Sequence, residues 1–199
     1  MLGGGVALQH YCEFRETYDL DAWWAISAEK KTLEEIRQVM QVIAHEDKFE
    51  LVERAWGQTQ SFELLRSKQK NFSVQVALRD IELEHPLTSE WAPVKIETFA
   101  DNLAAKMCAL VNRGAPRDFL DVFEVCKRAL ATEPECWTLW DHKNPGKNQV
   151  EAKINVLRHL EQIEKLRPLS SLKDPSEKDA AQSVRAWFRN KFLAKISKE

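Results

Sequence analysis

The sequence predicts an α+β fold, with strands and helices intermixed in the first half and helices alone in the second. Three observations carry this. Residues 71–83 alternate Phe72, Val74, Val76 and Leu78 with Ser73, Gln75 and Ala77, the period of a strand with one buried face. Residues 29–45 place Leu33, Ile36, Val39, Met40 and Ile43 at helical spacing. After about residue 97 the remaining segments are bounded by helix starts and stops. These observations divide the chain into 1–97 and 98–199.

Taken in order, residues 5–14 form a short helix after Gly3-Gly4-Gly5, and residues 18–26, rich in aromatic and aliphatic side chains, form a strand. The helix over 29–45 follows, then strands over 48–54, 58–66 and 71–83. Gly57 and the cluster Lys68-Gln69-Lys70-Asn71 mark the hairpin turns. Thr98 and Asp101 make a capping box that opens a helix to about Arg113. Gly114 ends it, and Pro116 suits the first turn of the next helix, which runs to about Leu130. Pro134 and Asn144-Pro145-Gly146 bracket a short helix containing Trp137 and Trp140. The helix over 148–166 carries Ile154, Leu157, Leu160 and Ile163 on one face and stops at Arg167-Pro168. Asp174, Pro175 and Glu177 open a last helix to about Ile196. There is no internal repeat.

Composition excludes several classes. The chain has 199 residues with 29 Lys+Arg against 31 Asp+Glu, a net charge of -2. It is an ordinary globular balance, neither uniformly basic nor low in complexity. The average hides a split: residues 151–199 hold eleven basic and seven acidic residues, so residues 1–150 hold eighteen and twenty-four. Cys12, Cys108, Cys126 and Cys136 show no C-x-x-C spacing and read as reduced thiols, which places the chain in the cytoplasm. His142 and His159 have no partner at metal-ligand spacing. The start Met-Leu-Gly-Gly-Gly lacks the basic and apolar regions of a signal peptide. The densest apolar run, Ala22 to Ile26, is far too short to cross a membrane.

Three constellations bear on chemistry. Gly3-Gly4-Gly5 opening into a helix lets backbone N–H groups approach a phosphate, although a glycine run at a chain start also reads as a flexible end. Asp19 and Asp21 on a strand share one face. Such a pair either holds a divalent metal for phosphoryl-type transfer or lies on a solvated edge. The segment Arg113-Gly-Ala-Pro-Arg117-Asp118-Phe-Leu-Asp121 reads most simply as a helix start with an Arg117–Asp121 surface ion pair. Lys106, in an apolar helical stretch, either extends outward to solvent or presents its ammonium to a triphosphate.

Together these residues resemble the AbiEii-type nucleotidyltransferases (AbiEii/AbiGii, the MenT-like group), toxins of abortive-infection and toxin–antitoxin pairs. The resemblance rests on order and spacing over nearly the whole chain: Gly4-Gly5-Val6-Ala7-Leu8, then Arg15-Glu-Thr17-Tyr-Asp19-Leu20-Asp21, then Lys106, then Arg113, Arg117, Asp118 and Asp121. Ile163 to Leu169 and Val184 to Phe188 are similar to the family's C-terminal helices. The resemblance implies a nucleotidyltransferase palm over 1–97 and a helical lobe over 98–199. The implied reaction is attack of an RNA hydroxyl, such as a tRNA 3′ end, on an NTP. The implied cofactor is Mg2+ on Asp19 and Asp21, and the implied partner is a cognate antitoxin. By the same resemblance Gly3, Gly4, Gly5, Lys106, Arg113 and Arg117 bind the nucleotide. Asp118 orients or deprotonates the incoming hydroxyl, and Asp19, Asp21, Lys106 and Asp118 form the catalytic set.

The sequence departs from the family pattern in four places. Val6 stands where a hydroxyl residue is usual, and Ala115 where Lys is common. The strand over 71–83 offers Gln75 and Ala77 on the expected face in place of a third acid, with Asp80 the nearest carboxylate. The family has a strand and a helix before the glycine turn. Here the chain begins with that turn, so either translation starts upstream or the palm lacks an edge element. These departures keep a second reading open: a catalytically inactive member that binds nucleotide, RNA or a partner protein.

Overall fold

The computed structural model describes residues 1–24, 30–78, 81–89 and 93–194. Residues 25 and 26 of the expected 18–26 strand, Asp80, and the final basic residues Lys195 and Lys198 lie outside the described residues. The chain divides into two compact units, Met1–Asn102 and Leu103–Glu199.

The first unit is built on a seven-stranded mixed sheet among the described residues. In chain order the strands are β1 (Leu2–Gly3), β2 (Asp19–Trp24), β3 (Glu50–Trp56), β4 (Thr59–Arg66), β5 (Gln69–Leu78), β6 (Leu87–Thr88) and β7 (Lys95–Ile96). Their spatial order is β3-β4-β5-β2-β1-β7-β6. Strands β3, β4 and β5 form an antiparallel meander, and β5 pairs in parallel with β2 from Asp19↔Ser73 to Trp24↔Leu78. Helix α1 (Gly4–Tyr11) follows β1, and α2 (Lys30–Glu46) lies between β2 and β3. Met40 and Ala44 of α2 pack on Phe62 and Leu64 of β4, with Ile36, Phe72 and Val74 around them. Leu33, Ile36, Met40 and Ile43 of the stripe that the spacing of residues 29–45 predicts face this core, whereas Val39 is 59 % exposed.

Three features of this unit differ from the sequence expectation. Residues 2–3 form a strand, antiparallel to β2 and parallel to β7, so the start of the chain occupies an interior position in the sheet. The opposite face of β5 is also covered: Ser73, and Ser61 on β4, are fully buried. Strand β5 stops at Leu78 within the described residues, and residues 81–83 do not continue it. The backbone N–H groups of Leu83 and Glu84 donate instead to the Asp101 carboxylate, at 3.1 Å to Oδ1 and 2.9 Å to Oδ2. Asp101 is fully buried at the start of helix α3 (Phe99–Asn112). Its own N–H donates to Thr98 Oγ1 at 3.2 Å, the half of the capping box that the sequence predicts.

The second unit takes in the rest of α3, then α4 (Pro116–Lys127), α5 (Glu133–Lys143), α6 (Gln149–Leu166) and α7 (Pro175–Trp187). Helix α6 buries Ala152, Val156 and Leu160, a stripe rotated from the Ile154–Leu157 face that the sequence suggests. Helix α7 does not run on as an α-helix: Phe188–Phe192 forms a π-helical turn, closed by Leu193 N–H donating to Phe188 O at 2.9 Å. The wider turn places Phe188 and Phe192 in one aromatic cluster with Trp187, their centroids 4.9 to 5.2 Å apart. All four cysteines are free. Cys136 lies 3.6 Å from Cys126. That hydrogen bond, and then burial, push the Cys136 thiol far up.

The Asp101 contacts give a stability prediction. Replacing Asp101 with Ala leaves two N–H groups without their acceptor. We expect hydrogen–deuterium exchange at Leu83 and Glu84 to accelerate about 10- to 100-fold. Unchanged protection at both amides would contradict the clamp.

Candidate active site

In the first unit the site is built where β1 meets β2. Met1 and Trp23 exchange backbone hydrogen bonds, at 3.1 Å from the Met1 amino group to Trp23 O and 2.9 Å from Trp23 N to Met1 O. The register then sets Gly3 opposite Asp21. The chain turns from β1 into α1 at Gly4, whose φ of +61° favours glycine. A Cβ on Gly4 would fall inside van der Waals contact of Asp21 Oδ2, and a Cβ on Gly3 would meet Trp23 Nε1. At Gly5 an added Cβ would lie 2.7 Å from Thr17 Oγ1. Each glycine therefore admits a specific neighbour, and the turn is packed onto the Thr17–Asp21 segment. The flexible-end reading of the glycine run is overturned: Gly3 and Gly5 are buried.

Two residues that sequence reasoning did not single out hold this turn from behind. Asn102 Nδ2 donates to Gly4 O at 3.0 Å and to Glu97 Oε2 at 2.9 Å. Glu97, fully buried, receives the Tyr11 hydroxyl on its backbone oxygen at 2.6 Å. Burial, and then the Glu97 carboxylate, raise the pKa of the Tyr11 phenol, which stays a donor. The only sequence signal was a polar Asn inside an apolar helical stretch. Its partner Gly4 stands almost a hundred residues away, beyond any local pattern.

The expected pair of carboxylates is present on one face of β2. Asp19 stands opposite Ser73, and Asp21 opposite Gln75. Ser73 Oγ and Lys70 Nζ each donate to Asp19 Oδ1 at 2.6 Å. Ser73 and Gln75 thus occupy the cross-strand positions beside the two acids. No cluster of three His, Cys, Asp or Glu suited to a metal occurs among the described residues. The donor set still fits Mg2+. That ion takes hard oxygens, and commonly uses one or two carboxylates with water and substrate phosphates completing its shell. A cationic ammonium already stands against Asp19.

The second unit gathers the other motif residues. Lys106 of α3 has a side chain only 12 % exposed, and its Nζ lies 2.8 Å from Asp121 Oδ2, which is fully buried. This corrects two expectations: Lys106 turns inward, and Asp121 is no surface partner. Gly114, at φ +51° and packed against the His159 ring, makes the turn into α4. Asp118 then takes the Ala115 N–H on Oδ2 at 2.9 Å and Arg113 on both oxygens, at 2.9 and 2.8 Å. It caps α4 and grips Arg113 bidentately. What position 115 gives this turn is its backbone N–H, which Ala supplies. Arg117 lines a mostly apolar cavity of about 320 Å³ with Leu160, Ile163 and Val184. No helix among the described residues is long and apolar enough to cross a membrane.

Gly57 provides a control for Gly4, because it has φ +55° but nothing within 4 Å of an added Cβ. Gly57→Ala should cost about 1 kcal/mol in urea unfolding, from backbone strain alone. Gly4→Ala adds the collision with Asp21 and should cost at least about 1 kcal/mol more. Equal losses would contradict the packing of the turn on Asp21.

A family model described as the nucleotidyl transferase AbiEii toxin, of a type IV toxin–antitoxin system, matches residues 1–193. A search of curated proteins gives no match. Both motif groups fall inside the matched span, and the chain belongs to the AbiEii nucleotidyltransferase toxin family.

Proposed function

We propose that this chain transfers a nucleotidyl group from an NTP to an RNA hydroxyl, at the 3′ end of tRNA, as the toxin of a pair held in check by a cognate antitoxin. The hydroxyl oxygen of the acceptor forms a bond to the α-phosphorus and gives up its proton to Asp118 or to water, while the bond from the α-phosphorus to the bridging oxygen breaks and pyrophosphate leaves with that electron pair. The observation that carries the reading is the glycine turn seated on Asp21 with Asp19 beside it. Asp19 and Asp21 would hold Mg2+, which when bound neutralises phosphate charge and orients the α-phosphate. The N–H groups at Gly3, Gly4 and Gly5 would face phosphate oxygens.

Lys106, Arg113 and Arg117 would bind the triphosphate. Each of the first two is already held by a buried carboxylate, Asp121 and Asp118. The largely buried Lys106–Asp121 pair adds little stability over apolar replacements, which supports a role for it in chemistry. Asp118 would orient the acceptor directly, or position Arg113, whose side chain is 52 % exposed, to do so. The reaction would run in the cytoplasm, a reducing compartment that suits four free cysteines. A second reading, an inactive member that binds nucleotide without transferring it, is favoured by Ser73 and Gln75 beside the two acids.

The test is incubation of the chain with each labelled NTP, Mg2+ and total tRNA. We expect label on tRNA, reduced at least about 100-fold by Asp21→Asn and by Lys106→Ala. Transfer that survives both substitutions would overturn the mechanism. Mg2+-dependent NTP binding without transfer to any acceptor would establish the inactive reading.

A further inference from the structure

We propose that Lys70 is a resident counter-cation of Asp19, which a divalent ion must displace to bind. The inference rests on the metal role of Asp19 proposed above and adds to it a residue that sets when the metal enters. Lys70 belongs to the hairpin between β4 and β5, where the sequence suggests only a turn. Ser67 and Lys68 both have positive φ, 51° and 63°, and the turn closes with Arg66 opposite Gln69 and Leu65 opposite Lys70. One step further along β4, however, Leu64 stands opposite Phe72. One step on β4 therefore matches two on β5, and Asn71 is the extra residue of a bulge.

The bulge decides where Lys70 points. Leu64 and Phe72 belong to the core under α2. Leu65, and Lys70 opposite it, therefore fall on the other face, the one that carries Ser73 and Asp19. Without Asn71 as an extra residue, the pleat would put Lys70 on the α2 face. As built, its ammonium reaches Asp19 Oδ1 at 2.6 Å and Ser73 Oγ at 3.4 Å.

The two partners are unequally anchored. The Asp19 side chain is 14 % exposed and is also held by Ser73 Oγ, whereas Lys70 is 41 % exposed at the end of a flexible stem. An arriving divalent ion competes with Lys70 for the same carboxylate. It can displace the ammonium into solvent without moving the carboxylate. The displacement opposes a metal arriving alone and is offset when the metal arrives with the negative charge of an NTP. Lys70 thereby makes metal binding depend on nucleotide.

The experiment is titration of Mn2+ into nucleotide-free protein, with free Mn2+ read by electron paramagnetic resonance. Lys70→Met should bind Mn2+ about five-fold more tightly than the unaltered chain, the worth of a partly exposed ion pair. Lys70→Arg should stay within about two-fold of the unaltered chain, and Asp19→Asn should lose the site in either background. Equal or weaker binding by Lys70→Met, with the site otherwise intact, would overturn the role of Lys70 alone. No Mn2+ binding by any form, with or without NTP, or binding indifferent to Asp19→Asn, would overturn the metal reading and this inference together.

Discussion

The first unit depends on one steric constraint: there is no room for a side chain between Gly4 and the Asp21 carboxylate. The pairing of Met1 with Trp23 sets the register, the register sets Gly3 opposite Asp21, and the left-handed turn at Gly4 then lays the start of α1 over the carboxylate. Asn102 locks the same turn through the Gly4 carbonyl. A position defined from three directions is stiff. Stiffness is what a site for nucleotidyl transfer needs, because such transfer relies on positioning and electrostatics rather than on covalent chemistry by the protein.

The second unit uses the same economy in a different setting. Gly114 makes the turn, Asp118 caps the helix that follows, and the same carboxylate fixes Arg113 by two hydrogen bonds. Lys106 is fixed in turn by Asp121. Each cation is thus held at a defined place by an acid that is itself out of water. Removing Asp121 would leave the mostly buried Lys106 ammonium without that partner, at a cost of about 3–5 kcal/mol, whereas Arg113, 52 % exposed, keeps access to water when Asp118 is removed.

Much of this was legible in the sequence, for reasons that can be named. The α2 stripe and the meander were visible because periodicity is local, and the Asp19/Asp21 face because two residues apart on a strand is one face. Order and spacing of the motifs pointed to the family. Other features were hidden because they are decided by distant partners. A two-residue strand such as β1 has no periodicity to read, and its place inside the sheet comes from pairing with β2 and β7. Lys106 was ambiguous because a helix alone does not say whether an acid waits on its inner side. The π-helical turn at Phe188–Phe192 follows from aromatic packing that helical spacing does not encode. Lys70 looked like a turn residue until the bulge at Asn71 set the face it occupies.

The proposed site joins the glycine turn and the two aspartates around one divalent cation and one nucleotide. The most direct measurement is an anomalous-difference map from crystals holding Mn2+ and a non-hydrolysable NTP. We expect a manganese peak bound by the Asp19 and Asp21 carboxylates, with nucleotide phosphate against the backbone of Gly3 to Gly5. A bound nucleotide whose metal lies away from both aspartates would contradict it.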